Sequence, residues 1–471
     1  MTSDTTLENA IEIAAAVKRR DVSAQEMAER ALDRIDATHE SLNGFVYVAR
    51  EQALADAKRV DESIGRGEDP GPLAGVPFGV KDMDQCAGMP VTYGSLIHKG
   101  QPPAQEDSVH IRRLRQAGAI PVGMTSCSEF GTVHFTHTKA WGTTRNPWNL
   151  DLTPGGSSGG SGAVVAAGVV PFATAGDGGG STRIPASFGG LVGMKPSYGR
   201  IPREEASTSQ TAVWGALTRT VADAARHLDI TSGPNDRDRT SLPPSGVHYE
   251  TAIEHLTTEG LKAVWSPDLG YAKVDPEVLE ICETAAGALI REAKLNHLDR
   301  QVTLTEPVKA WLGAGAIDIW LHLEKKDWPD RAGELVGHVR RNFEATESLP
   351  MPVYANFMRR RHQLELEVAE LFEQTDILIT PTTAVTAFDA TTPRNVTIEG
   401  QAIEPAMNVP FTMLANMCWN PAISVPAGVT RAGLPVGLQF TTRRHHDELA
   451  LRLGRIAEQI NPWPLTAPGW Y

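Results

Sequence analysis

The chain has 471 residues, with 57 acidic against 44 basic side chains and a net charge of −13. A length of this order carries two to four ordinary domains, and a diffuse acidic surface disfavours nucleic acid and anionic membranes as partners. Four scattered cysteines, Cys86, Cys127, Cys282 and Cys418, lack C-x-x-C spacing and exclude a disulfide framework and a cysteine metal site.

In chain order, the opening Met1 to Glu8 is polar and acidic and does not read as a signal peptide. Ser23-Ala-Gln-Glu26 is a capping box opening an amphipathic helix with Met27, Ala31, Leu32 and Ile35 on one face. Residues 61–72 form a Gly/Asp/Pro loop before an apolar strand that ends at Lys81. Ser108 is an N-cap for a helix over 109–118, followed by a strand over 119–123. His134 and His137 lack a third metal ligand and read as cleft wall or surface. The longest apolar stretch is broken by Pro171, so nothing spans a membrane. Residues 163–168 read as a small-residue helix, 218–232 as a helix, and 233–250 as the clearest connector. Residues 263–265 and 377–380 read as strands with helices between them, and Trp311, Trp320 and Trp328 each read as ordinary core.

The stretch from Thr153 to Arg183 holds Ser157, Ser158, Ser161 and Ser181, the last directly after Gly178, Gly179 and Gly180. A serine hydroxyl becomes a nucleophile only when a base takes its proton and donors stabilise the oxyanion. Glycines before a serine let successive backbone N–H groups converge on one point, and Lys81 is a candidate base. Three other readings stand beside this one. Gly/Ser tracts are usually linkers, although the apolar segment 163–175 belongs in an interior. Gly155 to Gly159 also matches the G-x-S-x-G elbow of an α/β-hydrolase esterase, with Ser157 as nucleophile and His445 or His446 as base. Lys81 could instead pair with Asp82 at a surface turn.

Several segments together resemble the amidase signature family. They are Leu73-Ala-Gly-Val-Pro-Phe-Gly-Val-Lys-Asp82, Trp141-Gly-Thr-Thr-Arg-Asn-Pro-Trp-Asn149, the whole of 154–200, Asp376-Ile-Leu-Ile-Thr-Pro381, Asn420-Pro-Ala-Ile-Ser-Val-Pro426 and Gly433-Leu-Pro-Val-Gly-Leu-Gln439. The resemblance implies a Ser–cis-Ser–Lys triad: Lys81 as base, Ser157 behind a cis peptide as proton relay, and Ser181 as nucleophile. It implies an oxyanion hole from the N–H groups of Gly178, Gly179 and Gly180, with Ser181 itself. Asp177 and Arg183 are expected to fix the turn as scaffold, and Ser158 and Ser161 to bond within the loop. The implied fold is a single large α/β/α sandwich, a mixed sheet flanked by helices. Along it fall N-terminal helices over 1–72, the catalytic core over 73–232, the connector 233–250, a variable substrate-facing region over 251–375 and a return to the core over 376–471.

Three features depart from the family pattern. Gly178 stands where threonine or isoleucine is usual, so the turn should be more mobile and roomier. Met124 and Ser126 replace a lysine and an asparagine near the expected cleft wall. The segment Met407 to Asn420 carries no acid, where glutamine-processing subunits have one. That argues for an apolar or aryl-bearing substrate and against a tRNA-dependent amidotransferase subunit. The expectation is a cytoplasmic hydrolase of amide, aryl amide or carbamate bonds, with ester cleavage open to it, needing no cofactor and no metal. Its partner is a small molecule, and a homo-oligomer stays open.

Overall fold

One eleven-stranded mixed sheet runs through the middle of the molecule. The computed structural model describes residues 8–393 and 396–471, so the polar opening at 1–7 lies outside the described residues. In spatial order the strands are Phe45–Val48, Ile120–Thr125, Pro77–Lys81, Phe172–Asp177, Val213–Thr218, Val192–Lys195, Ala422–Val429, Pro435–Thr442, Ile377–Pro381, Lys262–Trp265 and Asn296–His297. The Pro77–Lys81 strand is parallel to both neighbours, and the five strands from Val213–Thr218 to Ile377–Pro381 pair antiparallel in succession. Helices cover both faces, so the central strands are buried along their length and read as apolar runs rather than alternations.

Local signals place most elements. Ser23 and Glu26 form the capping box of Ala24–Leu42, and Ser108 Oγ accepts from the Ile111 N–H to open Val109–Gln116. The strands at 262–265 and 377–381 lie where expected. No described helix is long and apolar enough to cross a membrane. All four cysteines are free and buried.

The differences have tertiary causes. Residues 61–65 are the last turn of the helix Arg50–Gly65, not loop, and Asp61 accepts from the Ala24 and Gln25 N–H groups at 2.7 and 3.1 Å. Its polarity serves the neighbouring helix start. The apolar run Val213–Thr218 is a strand, so the helix after it is confined to Val221–Thr231 with Thr220 as N-cap. The small-residue helix starts earlier than expected, at Gly159, and ends at Ala166. Its glycines are present for closeness: a Cβ on Gly160 would collide with the Ser126 amide nitrogen. Every residue from 153 to 175 is buried, which removes the linker reading. The N-terminal part is not helix alone, since Phe45–Val48 forms one edge of the sheet.

Two adjacent strands carry the chemistry-bearing segments. Phe78 pairs with Phe172 across them, and the two rings stack with centroids 5.1 Å apart. This contact sets Lys81, at the end of one strand, beside Thr174 and Gly176 of the other. Truncating Phe78 to alanine removes half of that stack from a fully buried site. Phe78→Ala is expected to lower stability by about 3–5 kcal/mol, read as a shifted midpoint in urea unfolding followed by fluorescence.

Candidate active site

Lys81 ends its strand with its N–H donating to Thr174 Oγ1 at 2.9 Å. Its side chain is 1% exposed, and Nζ donates to Ser157 Oγ at 2.8 Å. Asp82 is turned away. It accepts from the Thr92 and Gly94 N–H groups at 2.6 and 3.1 Å and from the Thr92 hydroxyl. The surface pairing of Lys81 with Asp82 is therefore not formed. Burial strips the ammonium of water and lowers the Lys81 amine to about 8.

Ser157 follows a cis peptide from Gly156. Glycine is required at 156 because a Cβ there would come within 2.6 Å of the Phe135 amide nitrogen and 2.8 Å of the Val133 carbonyl. The Ser157 carbonyl accepts from Ser128 N–H at 3.1 Å, and Ser158 N–H donates to the Ser181 carbonyl at 3.4 Å. The two serine segments are thus joined through their backbones. Ser161 Oγ donates to the Thr174 carbonyl at 2.8 Å and Ser158 Oγ to the Gly176 carbonyl at 3.4 Å, so both reach the Phe172–Asp177 strand rather than bonding within the loop.

Asp177 and Arg183 form a fully buried pair with Arg183 Nη2 2.9 Å from Asp177 Oδ1. Burial alone would raise the Asp177 carboxyl, but the Arg183 charge and its hydrogen bonds hold it well below the usual range. The same carboxylate accepts from Gly180 N–H at 2.8 Å and Thr182 N–H at 3.2 Å. That corrects one expectation: the Gly180 N–H is already committed to Asp177, leaving Gly178, Gly179 and Ser181 as candidate donors to an oxyanion. Gly180 itself is held at φ 124°, where glycine is favoured.

Lys81, Ser157 and Ser181 open together onto a cavity of about 170 Å³. Its apolar and aromatic lining includes Met83, Phe130, Trp214, Trp311, Leu312 and Ile319. Its polar lining includes Arg203, whose guanidinium lies over the Trp214 ring, with Ser207, Ser209, Thr211 and Asn342. Asp318 also lines the cavity. Burial would raise its carboxyl, but donation from Ser209, Thr208 and Ser207 holds it below its ordinary value. Those bonds include Ser207 Oγ at 2.9 Å and the Thr208 N–H and hydroxyl at 2.6 Å each.

Other sequence expectations fall elsewhere. Met124 is core, and Ser126 hydrogen-bonds Thr144 and the Asn43 carbonyl; the residues that reach the cavity from this segment are Phe130, Gly131 and Thr132. No residue of 407–420 lines the cavity, so its lack of acids does not bear on the substrate. Thr412 and Asn416 instead support the Asp177–Ser181 turn from behind, with Asn416 Nδ2 donating to Asp177 Oδ1 at 2.9 Å. His445 and His446 line a different cavity, and no strand precedes Ser157, so the elbow geometry is absent. His134 bonds Asn408 and packs on Phe388, while His137 is exposed and bonded to Thr143. Sequence reasoning misses Arg203, Trp214, Asp318 and the roles of Trp311, Thr412 and Asn416. Of these only Trp311 stands out along the chain, and nothing local distinguishes it from core.

Similarity to known proteins agrees with this geometry. Residues 26–451 match the family model Amidase. The chain is 35% identical to an acylamidase of Rhodococcus erythropolis, covering 97% of this chain and 96% of that protein. It is also 35% identical to a glutamyl-tRNA(Gln) amidotransferase subunit from a Synechococcus strain, covering 94% of this chain and 95% of that protein. Among solved structures, a bacterial aryl acylamidase of the amidase signature family superimposes with a TM-score of 0.91 at 28% identity, over 97% of both chains. The chain belongs to the amidase family, hydrolases that act on carbon–nitrogen bonds.

Proposed function

We propose that the protein hydrolyses neutral amides, aryl amides or carbamates through an acyl-enzyme on Ser181, with Ser157 as relay and Lys81 as base. The observation that carries this is the 2.8 Å bond from a buried lysine amine to Ser157 beside the half-buried Ser181. The neutral amine accepts the Ser157 proton while Ser157 takes the proton of Ser181 Oγ. The Ser181 oxygen attacks the substrate carbonyl, and the N–H groups of Gly178, Gly179 and Ser181 stabilise the tetrahedral oxyanion. The proton returns through Ser157 to the leaving nitrogen, and water then cleaves the acyl-enzyme.

The cavity walls support a substrate without an ammonium group. Two carboxylates reach the cavity, Asp177 and Asp318, and protein donors already engage both. Neither is left to hold the amino group of glutamine. The aromatic wall suits an apolar or aryl substituent, in keeping with the acylamidase and aryl acylamidase relatives. The amidotransferase reading draws on the Synechococcus relative. A panel of anilides, aliphatic amides, aryl carbamates, p-nitrophenyl esters and glutamine on the purified protein separates the two. Anilides or aryl carbamates turned over by the protein alone are the expected result, and glutamine as the sole substrate would overturn the neutral-amide reading.

Two further outcomes are expected. Ser181→Ala should abolish acylation, and Ser157→Ala and Lys81→Ala should each lower kcat/KM by about 1,000-fold or more. A fluorophosphonate should label Ser181, as read by intact mass and peptide mapping. The base must be uncharged to work, so kcat/KM should fall about tenfold per pH unit below the Lys81 value of about 8 and level off above it. A profile flat from pH 6 to 8 would remove Lys81 as the base.

A further inference from the structure

Three consecutive carbonyls of the turn before Ser181 are each held by a distant side chain. Asn416 Nδ2 donates to the Asp177 carbonyl at 2.8 Å, Trp311 Nε1 to the Gly178 carbonyl at 2.6 Å, and Thr412 Oγ1 to the Gly179 carbonyl at 2.6 Å. A trans peptide is a plane with C=O on one edge and the next N–H on the other. Holding a carbonyl therefore aims the following N–H. The three bonds aim the N–H groups of Gly178, Gly179 and Gly180, and the last of these reaches Asp177 Oδ1.

Asn416 and Thr412 come from one buried segment of the core. Trp311 comes from elsewhere, the helix Val308–Ala314 in the variable region. Its indole packs close against the turn: a Cβ on Gly179 would stand 2.7 Å from Trp311 Cε2 and Cζ2. Gly178 brings no side chain of its own to stiffen the turn. Its Cα faces Ala212, whose Cβ would be 3.3 Å from a Cβ at 178. The Trp311 N–H is the donor that fixes the Gly178–Gly179 peptide among the described residues.

We propose that Trp311 is a positioning residue for the oxyanion step. Its indole N–H aims the Gly179 N–H, and its ring, which also lines the cavity beside Leu312, makes that aim sensitive to what fills the aromatic wall. Substrates whose substituent covers this wall should gain in kcat and not only in KM, because an interaction realised more fully in the transition state raises kcat. The inference rests on Ser181 as nucleophile.

Trp311→Phe keeps an aromatic ring and deletes the N–H. It is expected to lower kcat on an anilide by about 100-fold, with KM changed less than about threefold. Affinity for a trifluoromethyl ketone, which mimics the tetrahedral oxyanion, should weaken in parallel. Lys309→Ala, at an exposed position of the same helix that does not line the cavity, should leave both kcat and KM within about threefold. Trp311→Tyr, which also lacks a donor at this position, is read the same way should the phenylalanine variant fail to fold. Fluorophosphonate label on Ser181 together with an unchanged kcat in the Trp311 variants, or a loss confined to KM, overturns the inference alone. Label elsewhere in the wild-type protein removes the nucleophile assignment and this inference with it.

Discussion

A buried amine with no carboxylate bonded to it is the constraint on which the site depends. Three acids lie close to Lys81 in sequence or space, and each has partners of its own. Asp82 accepts from Thr92 and Gly94. Asp84 accepts from the Ser108 hydroxyl at 2.6 Å and sits 2.8 Å from His110 Nδ1. Asp177 is bound to Arg183. Two unit charges about 4 Å apart interact by about 4 kcal/mol at an effective dielectric of about 20, equal to about three pKa units. One carboxylate bonded to the amine at that distance would cancel a shift from 10.5 to about 8 and leave the lysine charged. Asp177 and Asp84 still pull the amine upward, and burial outweighs them because neither is bonded to it.

The Asp177–Arg183 pair does for the turn what burial does for the lysine. Arg183 also donates to Gln439 Oε1 and Asn416 Oδ1, each at 2.7 Å. Gln439 lies on the Pro435–Thr442 strand, so the turn is tied across the sheet. Removing either partner of such a pair leaves an uncompensated buried charge, at about 3–5 kcal/mol. The scaffold expectation for both residues follows the same logic, since a saturated carboxylate has no capacity left for proton transfer at neutral pH.

What can be read from the sequence is local. Ser23 and Glu26 mark a helix start because they bond within one turn, and Lys81, Ser157 and Ser181 stand in short motifs whose residue types carry their own chemistry. The glycines at 159–162 look like loop along the chain because glycine leaves no pattern by which to tell freedom from close approach; here Gly160 meets a backbone nitrogen. The commitment of the Gly180 N–H is equally hidden, because it depends on how Asp177 turns. Trp311, Thr412 and Asn416 reach the turn across 133, 233 and 239 residues of chain. No periodicity or cap reports a contact over that distance. These three meet the turn from the helices Val308–Ala314 and Met413–Met417, which only the tertiary fold brings to it.

The same division separates reaction from substrate. Lys81 and Ser157 lie on buried segments, where few side chains fit, and Ser181 is half-buried at the cavity. Much of the rest of the lining comes from two other segments, residues 203–214 and 311–322, with Met83, Phe130 and Asn342 from elsewhere. Asp318 ties these two together through Ser207, Thr208 and Ser209, so neither segment can shift without the other. Trp311 stands in the second of them and is also bonded to the turn. A change in the helix Val308–Ala314 therefore reaches the serine turn through the Trp311 indole, and a cavity reshaped there must keep a donor at that point or find another way to hold the Gly178 carbonyl.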